Sequence, residues 1–140
     1  MKKQLAGVDV DFPTINGKFI HQLEEIFTSR IKVVQAGAQK YAIQFPMYKT
    51  DGGMYLIYLV SENGAFYLSD EATTMRELDK IFELSEPDVV KNISAILRQY
   101  NCQKNGNNIT IACTSKDVHL KMSYLIQAIS FMLNMKIFYT

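Results

Sequence analysis

The chain has 140 residues, of which 48% are hydrophobic, and these values predict one compact domain rather than two domains or a disordered segment. Lys and Arg number 15 and Asp and Glu 14, so the net charge of +1 argues against general nucleic-acid binding, which usually needs a basic excess. Two cysteines are too few for a disulfide scaffold, and we expect both thiols to be free in a reducing cytoplasm. The most apolar stretch, Leu120 to Phe138, is interrupted by polar residues, so we expect no membrane span.

The first half of the chain has the pattern of a helix followed by four strands. Residues 1–16 predict a loosely ordered lead-in, and Asn16 is a candidate N-cap for a helix over 17–29, where apolar residues recur at helical spacing. From Ile31 the apolar period changes to two, which is typical of strands. Turn-forming residues separate four predicted strands, at 31–35, 41–48, 54–60 and 65–68.

The second half of the chain is predicted to be mainly helical. Asp70 is a candidate cap for one helix, and a second begins at Pro87 or Asp88. A short strand over 109–113 and a last helix after Ser115 follow. The predicted order is αββββααβα, an α+β fold in which a four-stranded antiparallel meander and one further short strand pack with about four helices. We expect residues 1–140 to form this single domain.

Local signatures of common enzymes are missing from the sequence. It has no Walker loop, Rossmann glycine pattern, nucleophile elbow or metalloprotease helix. His21 and His119 fall on predicted helices, and neither is paired in sequence with a serine or cysteine nucleophile. We therefore predict no catalytic residues, no metal ligands and no cofactor, and lean towards a protein that is not an enzyme.

An alternative hypothesis is a metal-dependent nuclease or phosphodiesterase. Asp51, Asp70 and Glu71 lie near the ends of predicted strands, where carboxylates can converge on a divalent cation. Each acid also has a structural explanation, because Asp51 falls in a turn, Asp70 can cap a helix and Glu71 can complement its dipole. The structural explanation is the one we favour.

Tyrosines are concentrated in the predicted strands, and they suggest a contact surface. We predict that a partner protein binds through tyrosines and through acids of the segment that follows the strands, namely Tyr48, Tyr55, Tyr58, Tyr67, Glu71 and Glu77. A further alternative is a single-stranded nucleic-acid binder that stacks bases on the sheet tyrosines Tyr55, Tyr58 and Tyr67. This alternative is disfavoured because the strands from Tyr41 to Leu68 contain only one basic residue, Lys49.

The segment Tyr67-Leu68-Ser69-Asp70-Glu71-Ala72 joins a predicted strand to a predicted helix. It resembles a pattern in an uncharacterised family of small bacterial and phage proteins, in which a strand ends in Tyr-Leu-Thr-Asp-Asp-Gly and continues into a helix. Here Ser69 replaces the threonine, Glu71 the second aspartate and Ala72 the glycine. The resemblance implies a bacterial or prophage origin and a bacterial cytoplasm, without implying a reaction.

Together these features favour a small non-catalytic protein that binds and occludes a host protein, such as a defence nuclease, in the manner of anti-defence or anti-CRISPR inhibitors. The last predicted helix also suggests a homodimer, since Lys121 is its only formal charge from Val118 to Met135. Neutral polar residues are cheaper to bury in a subunit contact than charged ones. The predicted dimer interface consists of Ser123, Gln127, Ser130 and Asn134.

Overall fold

The structure is a computed structural model that describes residues 15–26, 31–49 and 51–139. It contains four α-helices and six β-strands, followed by a short 3-10 helix at Met135–Tyr139. In chain order the elements are α1 (Gly17–Ile26), β1 (Lys32–Gly37), β2 (Lys40–Tyr48), β3 (Met54–Glu62), β4 (Ala65–Ser69), α2 (Thr73–Asp79), α3 (Pro87–Gln99), β5 (Gln103–Asn105), β6 (Asn108–Ala112) and α4 (Val118–Leu133).

The six strands form one antiparallel sheet in the order β1-β2-β3-β4-β6-β5. The first four strands are neighbours in chain order, which confirms the predicted meander. The sheet is extended when the chain returns after two helices and β6 pairs with β4. The β5–β6 hairpin therefore places residues near position 108 beside residues near position 68.

The two faces of the sheet differ in composition and in burial. Alternate residues on the inner face are apolar and pack into the core, and they include Ile57, Leu59, Leu68, Ile109 and Ile111. The four helices pack on this inner face, where α4 contacts α2, α3, β4 and β6. The residues that alternate with the core residues form the other face, which we call the outer face.

The outer face has a regular cross-strand arrangement. The pairing register aligns one row of residues across five strands, consisting of Ala42, Tyr58, Ser69, Thr110 and Gln103. A second row passes through Lys40, Val60, Tyr67 and Ala112. The outer face thus brings together polar and aromatic side chains that are far apart in the sequence.

The α+β class is confirmed, while the predicted strand count is too low by one. The missed strand, β5, has the sequence Gln-Lys-Asn and no apolar residue, so it has no periodic signal. Asn16 caps α1 as predicted, because its Oδ1 accepts the Phe19 N–H at 2.9 Å. Residues 1–14 of the predicted lead-in and 27–29 of the predicted helix lie outside the described residues.

Candidate functional site

The outer face contains a groove of about 330 Å3 over strands β4, β6 and β5. Side chains with hydroxyl, amide or carboxylate groups line it, namely Tyr67, Ser69, Glu71, Gln103, Asn105, Asn108 and Thr110. The volume lies at the small end of the range for sites that bind small ligands or single segments of a partner. We consider this groove the candidate functional site.

One wall of the groove is formed by the turn from Ser69 to Ala72, which joins β4 to α2. Glu71 and Ala72 both have positive φ angles, of 49° and 69°, which non-glycine residues rarely adopt. Ser69 supports the turn because its Oγ accepts the Glu71 N–H at 3.0 Å. Such strained residues persist only where their surroundings hold them in place.

Asp70 provides much of that support. It is fully buried, and its carboxylate accepts backbone N–H groups from Ala72, Thr74 and Ile109 at 2.9–3.0 Å. The N-cap position of α2 is Ala72 and not Asp70, but Asp70, two residues earlier, still satisfies a first-turn N–H of the helix, that of Thr74. The bond from Ile109 also ties the turn to the start of β6, which forms the floor of the groove.

Glu71 extends from this turn over the outer face and meets Lys40. The Lys40 Nζ lies 2.5 Å from the Glu71 Oε2 and 4.9 Å from the centre of the Tyr58 ring. The hydrogen bond to Glu71 raises the pKa of Lys40. Glu71 is thus held between a strained turn on one side and a cation on the other.

Beneath the turn, on the inner face, lies a second polar group of residues. Tyr55 is fully buried and is hydrogen-bonded to Thr74, and burial raises the pKa of its hydroxyl. Glu77 is also buried, and Lys80 donates a hydrogen bond to it at 2.8 Å. The Tyr55–Thr74 bond links β3 to α2, whereas the Glu77–Lys80 contact lies at the end of α2 itself.

The six predicted partner-binding residues separate into three groups. Tyr58, Tyr67 and Glu71 lie together on the outer face. Tyr55 and Glu77 are buried and do not form part of a contact surface in this structure. Tyr48 is 62% exposed but lies at the far end of β2 from this group. It is six residues further along the strand than Ala42, which pairs with Tyr58.

The burial of Tyr55 also bears on the nucleic-acid hypothesis. Tyr55 points to the inner face, whereas Tyr58 and Tyr67 point to the outer face. The three tyrosines that this hypothesis requires therefore do not share a surface on which bases can stack.

The structure does not bring the three predicted metal-binding acids into one metal-binding group. Asp51 accepts the Gly53 N–H at 2.8 Å in an exposed turn, Asp70 is surrounded by backbone donors and Glu71 is paired with Lys40. Within the described part of the chain, no group of three or more His, Cys, Asp or Glu side chains is arranged to hold a metal ion.

The cysteines lie in the core next in sequence to the groove residues Gln103 and Ala112, whereas the histidines lie on helices. Cys102 and Cys113 are free and buried, and burial raises the pKa of their thiols to about 11 and about 12. His21 is exposed on α1, 3.6 Å from Glu25, and His119 is exposed on α4. Their positions suit structural and surface roles.

The predicted dimer residues lie along α4 and make contacts within the chain. Gln127 donates to the Ser123 Oγ at 3.1 Å, Ser130 donates to the Met47 sulfur at 3.7 Å and Asn134 donates to the Ser130 carbonyl at 2.8 Å. Ser123 and Ser130 are half-buried, while Gln127 and Asn134 are exposed.

A comparison with protein families found one that matches more than half of the chain. The model described as "Domain of unknown function DUF1828" matches residues 45–132. The chain belongs to this family. The DUF1828 match includes the strained turn and every residue that lines the groove, whereas Lys40 lies before it. Comparisons with curated proteins and with solved structures found no match.

Several groove residues were missed by the sequence analysis, and the reason is the pairing of β4 with β6. The strand at 109–113 was predicted, and its alternation places the Thr110 side chain on the other face of the strand from Ile109 and Ile111. Which strand lies beside it depends on contacts between segments about 40 residues apart. The amide side chains of Gln103, Asn105 and Asn108 gave no signal because they resemble ordinary turn residues.

No helix in the described ranges combines the length and the apolar character that crossing a lipid bilayer requires.

Proposed function

We propose that this DUF1828 protein is a small non-catalytic binding protein that contacts a protein partner through the outer face of its sheet. The proposal extends to the partner and the setting: a host protein such as a defence nuclease, occluded by a phage- or prophage-encoded inhibitor in a bacterial cytoplasm. This setting rests on the resemblance described above and on the lack of enzyme signatures in the sequence.

The observation that carries the proposal is the grouping of Tyr58, Tyr67 and Glu71 on one surface. Tyrosines are enriched in protein contacts because a ring buries a large area and the hydroxyl still finds a hydrogen-bond partner. Here the Tyr67 hydroxyl donates to Glu62 at 3.4 Å, and the Tyr58 ring lies under Lys40. The surface therefore offers aromatic area that is already organised by charged neighbours, which lowers the entropic cost of binding.

The proposal can be tested by comparing capture of a partner by matched variants. Tagged wild-type protein is incubated with bacterial lysate, and captured proteins are quantified by mass spectrometry. We expect one protein to be captured by the wild type and lost at least tenfold in the variant Tyr58→Ala/Tyr67→Ala, because aromatic anchors carry much of the binding energy of an interface. The control is Tyr48→Ala, which removes an exposed tyrosine away from the Tyr58 row.

Two outcomes would contradict the proposal. One is unchanged capture of the partner by the double variant, provided that thermal unfolding shows the variant to be folded. The other concerns the enzyme hypothesis: calorimetric titration with Mg2+ and Mn2+ is expected to show no binding, and tight binding that Glu71→Gln abolishes would favour the metal-dependent nuclease.

A further inference from the structure

Two buried hydroxyl groups form the floor of the groove. Ser69 and Thr110 are paired directly across strands β4 and β6, so their side chains lie about 5 Å apart. They are only 3% and 8% exposed. Ser69 accepts the Glu71 N–H and Thr110 accepts an N–H of the Asn105 amide at 3.0 Å, but within the described residues neither hydroxyl donates its own proton.

These unused donors indicate the kind of group that fits the floor. Buried polar groups are nearly always hydrogen-bonded, because a donor without an acceptor loses its hydration and gains nothing in return. Both hydroxyls line the groove, so an acceptor atom brought in by a ligand can reach them. The floor therefore favours a ligand that carries acceptor oxygens.

The charges around the groove favour an uncharged ligand. Among the described residues, no lysine, arginine or histidine lines the groove, and the one carboxylate that does, that of Glu71, is already paired with Lys40. The Tyr67 hydroxyl adds no charge near neutral pH, and burial and the nearby Glu62 raise its pKa further above its ordinary value. An anion would be repelled by Glu71, and a cation would have to displace Lys40.

Three amide side chains at the rim of the groove provide both hydrogen-bond donors and acceptors. Gln103, Asn105 and Asn108 each have a carbonyl oxygen and an NH2 group, and Asn105 uses its NH2 group on Thr110. The adjacent strand β5 is the last strand of the described sheet and is exposed along its length. Edge strands with exposed backbone groups accept extended segments of other chains.

We propose that this groove binds an extended, uncharged polypeptide segment, whose carbonyl groups accept hydrogen bonds from Ser69 and Thr110 and whose amides pair with the side chains of Gln103, Asn105 and Asn108. The inference rests on the proposed function, since it names the part of the partner that the outer face receives. It adds that recognition includes the partner's main chain as well as the aromatic contacts of Tyr58 and Tyr67.

The test uses the full chain labelled with 15N and a blocked peptide, N-acetyl-tetraalanine amide. Side-chain NH2 groups give their own signals in proton–nitrogen correlation spectra, so Gln103, Asn105 and Asn108 report on the groove directly. We expect millimolar peptide to shift these three signals in the wild type. Thr110→Val keeps a β-branched side chain in the strand but removes the hydroxyl, and it should weaken binding about tenfold.

A matched control and two competing probes make the result decisive. Ser94→Ala, which removes an exposed hydroxyl on α3, should leave the peptide affinity unchanged. Peptide binding that is undiminished in folded Thr110→Val would overturn the inference. So would side-chain signals that shift with N-acetylglucosamine or inorganic phosphate but not with the peptide. If no probe shifts these signals but partner capture still depends on Tyr58 and Tyr67, the groove inference fails and the proposed function stands.

Discussion

Ala72 occupies a backbone conformation that suits glycine. Its φ angle of 69° lies in the left-handed region, where an L-residue is disfavoured by about 1–2 kcal/mol because its Cβ crowds the backbone. The pattern that this turn resembles has glycine at the same position. Alanine at this position therefore strains the backbone of the turn. The neighbouring Glu71 adds to this strain because it also has a positive φ angle.

We expect Ala72→Gly to raise the free energy of unfolding by about 1 kcal/mol, because relief of this strain exceeds the added entropy of the unfolded chain. The matched control is Ala95→Gly, an exposed position inside α3, which should lower stability by about 1 kcal/mol. Urea unfolding of both variants checks the prediction. A destabilised Ala72→Gly would show that the turn is not strained.

Asp70 shows where sequence reasoning underestimates a residue. As a simple helix cap, its replacement by alanine would cost about 1 kcal/mol. The structure gives its carboxylate three backbone donors, one of them from β6, and places it in full burial. We therefore expect Asp70→Ala to lower the free energy of unfolding by at least about 3 kcal/mol, because hydrogen bonds to a charged group are strong and three N–H groups lose their acceptor.

Asp79 provides the comparison for this experiment. It is exposed at the end of α2, where a negative charge is unfavourable next to the helix dipole, so Asp79→Ala should change stability by less than about 0.5 kcal/mol. Both free energies follow from urea titration monitored by circular dichroism. Equal effects of the two substitutions would mean that the Asp70 carboxylate contributes little.

At the scale of single residues, local roles could be predicted and distant partners could not. Asn16 and Asp51 act within three residues of their own positions, and turn and cap preferences describe such contacts. The bond from Ile109 to Asp70 and the pairing of Ser69 with Thr110 span about 40 residues. Spacing along the chain carries no information about contacts of this kind.

Among the elements, the β5–β6 hairpin depends most on its context. Its first strand, β5, has three exposed polar residues and no apolar pattern. It is extended only because it pairs with β6. The bulge in β2 between Phe45 and Tyr48 instead has a local cause, because Pro46 lacks an N–H and suits an irregular position. Elements with strong apolar periodicity were therefore predicted well, and those that depend on a neighbouring strand were not.

Cys102 and Cys113 flank this hairpin, and their buried thiols lead to a prediction for alkaline conditions. Their folded pKa values of about 11 and about 12 lie above the ordinary value of 9.0. An unfolded chain loses these protons near pH 9 while the folded chain keeps them, so stability must fall as pH rises from about 9 towards 12.

Two measurements check the thiol prediction. Ellman's reagent at pH 8 should react with both thiols in denaturant and only very slowly in the folded protein, because the thiolate is the reactive species. The free energy of unfolding should fall less between pH 8.5 and about 10.5 in the variant Cys102→Ala/Cys113→Ala than in the wild type. Rapid reaction of either thiol in the folded protein would show that the hairpin does not protect it.

At the scale of the whole molecule, the sheet separates the core from the surface that we propose as the contact surface. Its inner face and the helices form the core, whereas its outer face carries the groove, the paired Lys40 and Glu71, and the tyrosines Tyr58 and Tyr67. The alternating sequence could predict that each strand has two faces. Which face the helices cover depends on how the strands are ordered, and so the sequence could not separate buried Tyr55 from half-buried Tyr58.

The predicted dimer contact lies on α4, and the position of this helix in the fold explains part of its unusual composition. It packs against α2, α3 and the sheet, so several of its uncharged residues face other parts of the same chain. Its outward side nevertheless exposes Leu120 and Phe131, at 43% and 48%, with exposed Gln127 between them. Phe131 also lies 6.0 Å from the Tyr100 ring, which widens this apolar surface.

We expect two copies of the chain to pair through this side of α4, with Ser123, Gln127, Ser130 and Asn134 at its margin, because a two-fold contact places the same apolar stripe of both copies together. Light scattering coupled to size exclusion at micromolar concentration should then give twice the chain mass of 16.0 kDa. Phe131→Glu should give a monomer, since the contact would bury two like charges. Ile81→Glu, which charges another exposed apolar residue, should remain a dimer. A wild-type mass near that of one chain would refute the dimer and assign the neutral residues of α4 to packing within the domain.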